Sequence, residues 1–153
     1  MGPVKAIHNT VVVERNFKSS PEKVFAAWAD PAAHGYWNVP GEDWVIAEFE
    51  QDFRVGGRLY SFFGPKGSPR YRSERHFLNI AENQRIISAG TMHDGKIPMS
   101  STMCTVEIQP DGKGTNLILT DQSAYFQQGE TAEDRSTGWG EILKHLANAL
   151  AQE

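Results

Sequence analysis

Val11-Val12-Val13-Glu14-Arg15-Asn16-Phe17, followed at once by Ser19-Ser20-Pro21-Glu22, is the stretch on which the fold turns. Its β-branched run reads as a strand. Ser20 is a capping residue type and Pro21 suits a first helical turn, so strand should pass into helix almost without a linker. That helix carries Val24, Phe25 and Trp28 on one face and should stop at Asp30, because Pro31 disfavours helical backbone at the residue before it. Pro31 to Trp37 reads as a second short helix, and Asn38 to Asp43 as loop.

Beyond Trp44 the punctuation becomes that of an antiparallel meander, with strands expected near 44–51, 57–63, 71–80, 85–93, 99–109 and 115–124. The joints are Val55-Gly56-Gly57, Gly64-Pro65-Lys66-Gly67, Glu82-Asn83, Asp94-Gly95 and Pro110-Asp111-Gly112, each rich in turn-forming residues. From about Ala132 to Gln152 helical spacing returns, with Trp139, Ile142, Leu143, Leu146 and Leu150 on one stripe. Gly138 and Gly140 lie early in this segment, so either the backbone approaches the sheet or a ligand closely there, or the helix starts only after Gly140. The order of elements predicts a two-layer α+β domain with an antiparallel sheet of about seven strands. Such a sheet twists and curls, and one helix covers only part of its concave face, which leaves room for a cavity.

The chain has 153 residues, a length at which roughly 70% of the extended surface can be buried around one core. No repeat or linker divides it, so residues 1–153 are read as a single domain with its ordered core at about 10–151. A net charge of -4 argues against a nucleic-acid partner. No apolar run approaches the ~18 residues of a membrane span, and a lone Cys104 allows no internal disulfide, so a cytoplasmic protein is expected.

Ser20-Pro21-Glu22-Lys23-Val24-Phe25-Ala26-Ala27-Trp28, then Asp30-Pro31, Tyr36-Trp37, Asp52-Phe53-Arg54-Val55-Gly56-Gly57, Gly114-Thr115-Asn116-Leu117 and Gly138-Trp139 together resemble the START-related SRPBCC superfamily. Within it the chain is most similar to the branch of activator of heat-shock-protein ATPase homologues. Thr105-Val106-Glu107-Ile108, Thr120 to Phe126, Arg135 and Gly138 look like its small single-domain bacterial members. The resemblance spans about Thr10 to Leu150 and implies a helix-grip fold, a curved sheet wrapped around a long C-terminal helix with a cavity beneath it. It implies no single reaction, since the superfamily includes lipid carriers, hormone receptors and aromatic cyclases. The eukaryotic activator works with an additional N-terminal chaperone-binding domain, for which a first strand beginning within about ten residues leaves no room, so chaperone activation is not the expected role.

The expected role is binding of a small apolar or aromatic molecule between sheet and terminal helix. Trp28, Trp37, Phe49, Phe77, Met103, Tyr125 and Trp139 are the candidate ligand contacts, with Trp37 and Tyr125 expected at the cavity mouth. Two alternatives stand beside it: a cavity enzyme of cyclase or hydrolase type, and a stress-response or chaperone-associated interaction protein. For the enzyme, Asp121 is the candidate acid or base, with His76 or His93. If Leu117 and Leu119 face the helix, alternation turns Asp121 inward, where desolvation raises a carboxyl pKa; the competing reading has it near the sheet rim, solvated or paired with Arg135 or Arg75. The five histidines and one cysteine have no metal-ligand spacing, so no metal and no cofactor is expected. His8 and His145 read as surface residues and Cys104 as a buried, inert thiol. Strand 71–80 is mixed on both faces, which fits either a polar-lined cavity or a bulge. Exposed sheet edges leave a homodimer open.

Overall fold

The computed structural model describes residues 5–126 and 130–152, so the ends of the expected domain, residues 1–4 and 153, lie outside the described residues. Strand β1 (Ile7–Phe17) begins earlier than its valine run and carries His8 as an ordered, exposed strand residue rather than part of a frayed end. Ser20 then caps α1 (Pro21–Ala29), its hydroxyl accepting from the Lys23 backbone N–H at 3.3 Å. Asp30 ends α1 and caps α2 (Pro31–Trp37) through its own carboxylate, which accepts from Ala32 N–H at 3.2 Å. One residue thus serves both helices and sets the angle between them.

The meander follows as β2 (Trp44–Gln51), β3 (Arg58–Pro65), β4 (Tyr71–Ala81), β5 (Arg85–Asp94), β6 (Ile97–Asp111) and β7 (Gly114–Tyr125), and α3 (Ala132–Ala151) closes the chain. The seven strands form one sheet in the order β1-β7-β6-β5-β4-β3-β2, with every neighbouring pair antiparallel. Register shifts interrupt β2 at Ala47, β4 at Leu78 and β6 at Met99. Such bulges increase local twist, so the sheet curls around α3. The shift at Leu78 answers the mixed pattern of β4: Tyr71, Ser73, Arg75 and Phe77 face inward, Leu78 points to solvent at 52% exposure, and Ile80 returns to pack on the core. Both readings of this strand therefore hold, one on each side of the bulge.

The core lies under α1 and the later turns of α3, where Leu143 and Leu146 are fully buried against Val24, Leu117 and Leu119. Each such burial contributes about 1.5–3 kcal/mol. Thr131 opens α3 with a capping box, accepting from Asp134 N–H at 3.1 Å while the Asp134 carboxylate takes Thr131 N–H at 3.3 Å. Gly138 and Gly140 are therefore inside the helix, and the start after Gly140 does not occur. Neither marks a tight contact: a Cβ at Gly138 would sit 3.6 Å from Pro40, and at Gly140 it would meet nothing within 4 Å.

Close approach occurs instead within the sheet, as at Gly90 in β5, where a Cβ would come within 1.8 Å of the Glu74 carbonyl oxygen and 2.6 Å of Arg75 Cα. Both are backbone atoms of β4, which cannot yield as a side-chain tip would. Gly90→Ala is accordingly expected to lose about 3 kcal/mol or more, whereas Gly140→Ala gains about 0.5–1 kcal/mol from helix propensity. Urea denaturation of the two variants, read as midpoints at constant slope, checks both signs.

Candidate functional site

The sheet is wider than the helix that lies on it, and between the first turns of α3 and the inner faces of β3, β4 and β5 is a cavity of about 470 Å³. This is within the range of small-molecule sites. Leu59, Phe63, Tyr71 and Met92 supply much of its sheet wall, and Trp139, Gly138 and Ile142 its helix wall. Trp44, from the strand after α2, stacks on Tyr71 with ring centroids 5.5 Å apart and planes 5° from parallel. Ser61, Ser73, Thr91 and Thr102 add hydroxyl groups to these largely apolar walls.

A buried polar network fastens the helix to the sheet at the edge of this cavity. Asp121 on β7 is fully buried; its Oδ2 accepts from Arg135 Nη1 at 2.9 Å and from Trp139 Nε1 at 2.7 Å, and its Oδ1 from the Ser123 hydroxyl at 2.5 Å. Arg135 also donates to Thr102 at 2.9 Å, to Ser100 at 3.0 Å and to Glu130. Burial works against the Arg135 charge, but the carboxylates of Asp121 and Glu130 outweigh it and hold its pKa above the ordinary arginine value. Asp121 is thus paired with Arg135, one of the two partners weighed from sequence, yet at no solvated rim.

A second buried polar group is His34, on α2 and 2% exposed, a residue that no spacing motif singles out. Gln51 donates its amide to the carbonyls of Trp28 and Ala29 at 3.0 and 3.1 Å, so its oxygen faces His34 Nδ1 at 2.6 Å and must accept. The proton of the neutral ring is therefore on Nδ1. Desolvation lowers the His34 pKa to about 4, against the Gln51 hydrogen bond and with help from the field of Arg75. Burial pushes the Cys104 thiol up to about 11, so it stays protonated.

Of the seven candidate ligand contacts, only Trp139 lines the cavity. Trp37, expected at the mouth, is 2% exposed and donates its indole N–H to the Ala27 carbonyl at 3.2 Å, because it fills the corner between α1 and α2. Tyr125, also expected there, is 1% exposed with its ring under the Arg135 guanidinium, 5.4 Å away. Trp28 and Phe77 belong to the core and line a separate void of about 10 Å³. Phe49 packs against His34 and Gly35, and Met103 points outward at 39% exposure because β6 turns Thr102 and Cys104 inward. Nor are the three acid/base candidates brought together: Asp121 is locked under α3, His76 is exposed on the outer face of β4, and His93 sits beside the β6 bulge opposite Pro98. The signal for the true lining was the alternation Tyr71, Ser73, Arg75, Phe77, in which the buried phenylalanine marks the inward set.

His145 is half-buried rather than a free surface residue, with Nδ1 donating to the Val39 carbonyl at 2.8 Å. Its other nitrogen lies 3.7 Å from Glu42, which Lys144 approaches at 3.5 Å. Together with Glu141 these residues place three ligand-type atoms within 4.8 Å of one another, in a cluster that ties the loop after α2 to α3. Among the described residues no helix is long and apolar enough to cross a membrane.

A sheet curled about a long C-terminal helix, with a ligand-sized cavity under the first turns of that helix, defines a helix-grip domain. The chain belongs to the family of Activator of Hsp90 ATPase homolog 1-like proteins, which it matches over residues 18–151, in the SRPBCC superfamily. Protein Mll3558 from Rhizobium loti is 40% identical over 94% of this chain and 98% of that one, and its solved structure superposes with a TM-score of 0.85. An uncharacterised protein from Rhizobium leguminosarum is 28% identical over 99% and 100% of the two chains, with a TM-score of 0.90. Protein CV1439 from Chromobacterium violaceum is 26% identical over 93% and 96%, with a TM-score of 0.81. No curated protein matches the sequence.

Two expectations follow from the buried groups. Arg135→Met strands the Asp121 carboxylate without its cation and should cost about 3–5 kcal/mol, part of which the added Asp121→Leu change restores; a double-mutant cycle measures the coupling. Because the unfolded histidine takes up a proton near pH 6.5 and folded His34 only near 4, its contribution is intact above pH 6.5 and is lost as pH falls toward 4. The loss amounts to about 3 kcal/mol across that window, and unfolding free energies between pH 7 and 4 should slope less in His34→Gln.

Proposed function

We propose that this protein binds a small, largely apolar or aromatic molecule in the cavity between the sheet and α3. The carrying observation is the cavity itself: about 470 Å³ of space remains between Trp139 and the sheet. Interiors pack at crystal-like density, and a void of this size forgoes contacts that a smaller sheet or larger side chains would have made. Its wall chemistry suits such a ligand, since Leu59, Phe63, Met92 and the Trp44–Tyr71 stack offer apolar area while hydroxyl groups offer a few directional contacts.

Gly138 gives a direct handle on this reading, because it lines the cavity and has open space around the position of a Cβ apart from Pro40. Gly138→Leu should keep the fold, fill part of the cavity and weaken any ligand at least tenfold. A thermal-shift screen of aromatic and aliphatic compounds, neutral and anionic, with hits titrated by quenching of tryptophan fluorescence, tests this. Compounds that bind the original chain and lose affinity in the variant support the proposal; a screen without a shift, or hits indifferent to Gly138→Leu, removes it.

A further inference from the structure

Arg75 is the inward-facing arginine for which the described residues offer no polar partner. Arg54, Arg58, Arg70 and Arg135 each pair with a carboxylate, Arg85 donates to Asn79 and Arg15 to the Gly140 carbonyl. Arg72 lacks such a bond too, but it is exposed on the outer face beside the Phe62 ring. Arg75 instead lines the large cavity, with Nε buried and without a hydrogen-bond acceptor, and its guanidinium lies 5.8 Å from the centre of the Trp139 ring. It sits between Leu59 on β3 and Gly90 on β5, both of which line the cavity beside it. It also borders the small void beneath, which places it at the deep end of the cavity.

Arg75 is half-buried with its Nε removed from solvent and given no acceptor by the described residues, whereas the other deep arginine, Arg135, is paired with Asp121 and Glu130. We propose, building on the cavity-binding reading above, that the ligand is a monoanionic carboxylate with an aromatic or aliphatic body, its carboxylate docked on Arg75 and its body directed toward Phe63, Tyr71 and Trp44. A guanidinium presents a planar fork of donors that matches a carboxylate in a two-point contact. A single unpaired cation suits a single negative charge. A polyanion such as a phosphate ester would need further free cations, whereas the other charged groups on the wall include the acidic Glu130 and Asp134 near the start of α3. Those acids also disfavour the reversed orientation, with the carboxylate at the helix end.

The test uses two matched pairs of probes, 2-naphthoate with 2-naphthamide and octanoate with octanamide, titrated calorimetrically at pH 7 into the full chain and into Arg75→Met and Arg75→Lys. The acid of at least one pair should bind about tenfold or more tighter than its amide, as expected for hydrogen bonds to charged groups. Arg75→Met should erase that preference, weakening the acid far more than the amide, and Arg75→Lys should keep part of it. Without ligand, Arg75→Met should melt no lower than the original chain, because it removes an uncompensated cation. Equal binding of acid and amide, or an acid preference that survives Arg75→Met, overturns the carboxylate anchor and leaves the cavity reading standing. A marked fall in melting temperature of ligand-free Arg75→Met also overturns the anchor, since it would show that the guanidinium is held by the protein. Failure of every probe to bind overturns the anchor and the cavity reading together.

Discussion

The carboxylate of Asp121 is the point on which the arrangement of helix and sheet depends. It is fully buried on β7 and receives both Arg135 and Trp139, one helical turn apart on α3. Charge-assisted hydrogen bonds are directional and short, so they locate the early part of the helix without requiring side chains to fill the space beside it. Farther along, α3 is held by ordinary apolar packing through Leu143, Leu146 and Leu150. A polar clamp at one end and a packed stripe at the other keep the helix suspended over the sheet, and the cavity is the space between the clamp and the far edge of the curl. Packing alone would draw the helix down and close it.

Three buried cations or cation-forming groups illustrate how differently one interior treats charge. Arg135 keeps its charge because carboxylates surround it; His34 gives up its charge because only Gln51 faces it. Arg75 has no carboxylate partner among the described residues, and it lines the cavity with its Nε unpartnered. The same contrast describes Asp121, whose oxygens are engaged by Ser123, Arg135 and Trp139 and which is not among the residues lining the cavity.

Much of the architecture was legible because it rests on local rules. The Ser20-Pro21 start, the helix end at Asp30, the turn residues of the meander and the stripe from Trp139 to Leu150 each act over a few residues, and each appears where local chemistry places it. For β7 the sequence left two positions for Asp121, inside if Leu117 and Leu119 face the helix or near the rim, and the structure has it inside with the leucines. The aromatic residues were harder to place. Trp37 and Tyr125 were expected at a mouth because they adjoin loops, but a large ring beside a loop is as useful for sealing the core as for meeting a ligand, and both seal it.

By itself the sequence determined the element order, the antiparallel meander and the apolar stripe of the last helix, because periodicity and turn chemistry are encoded between near neighbours. Tertiary structure alone decided which residues share the cavity. That outcome depends on a bulge at Leu78 that changes which β4 side chains face inward, on strands β4 and β5 meeting at Gly90, and on a clamp between Asp121 and Arg135. Each is an encounter between segments distant in the chain, and the position of a void is set by where several surfaces fail to meet, which no single stretch of sequence records.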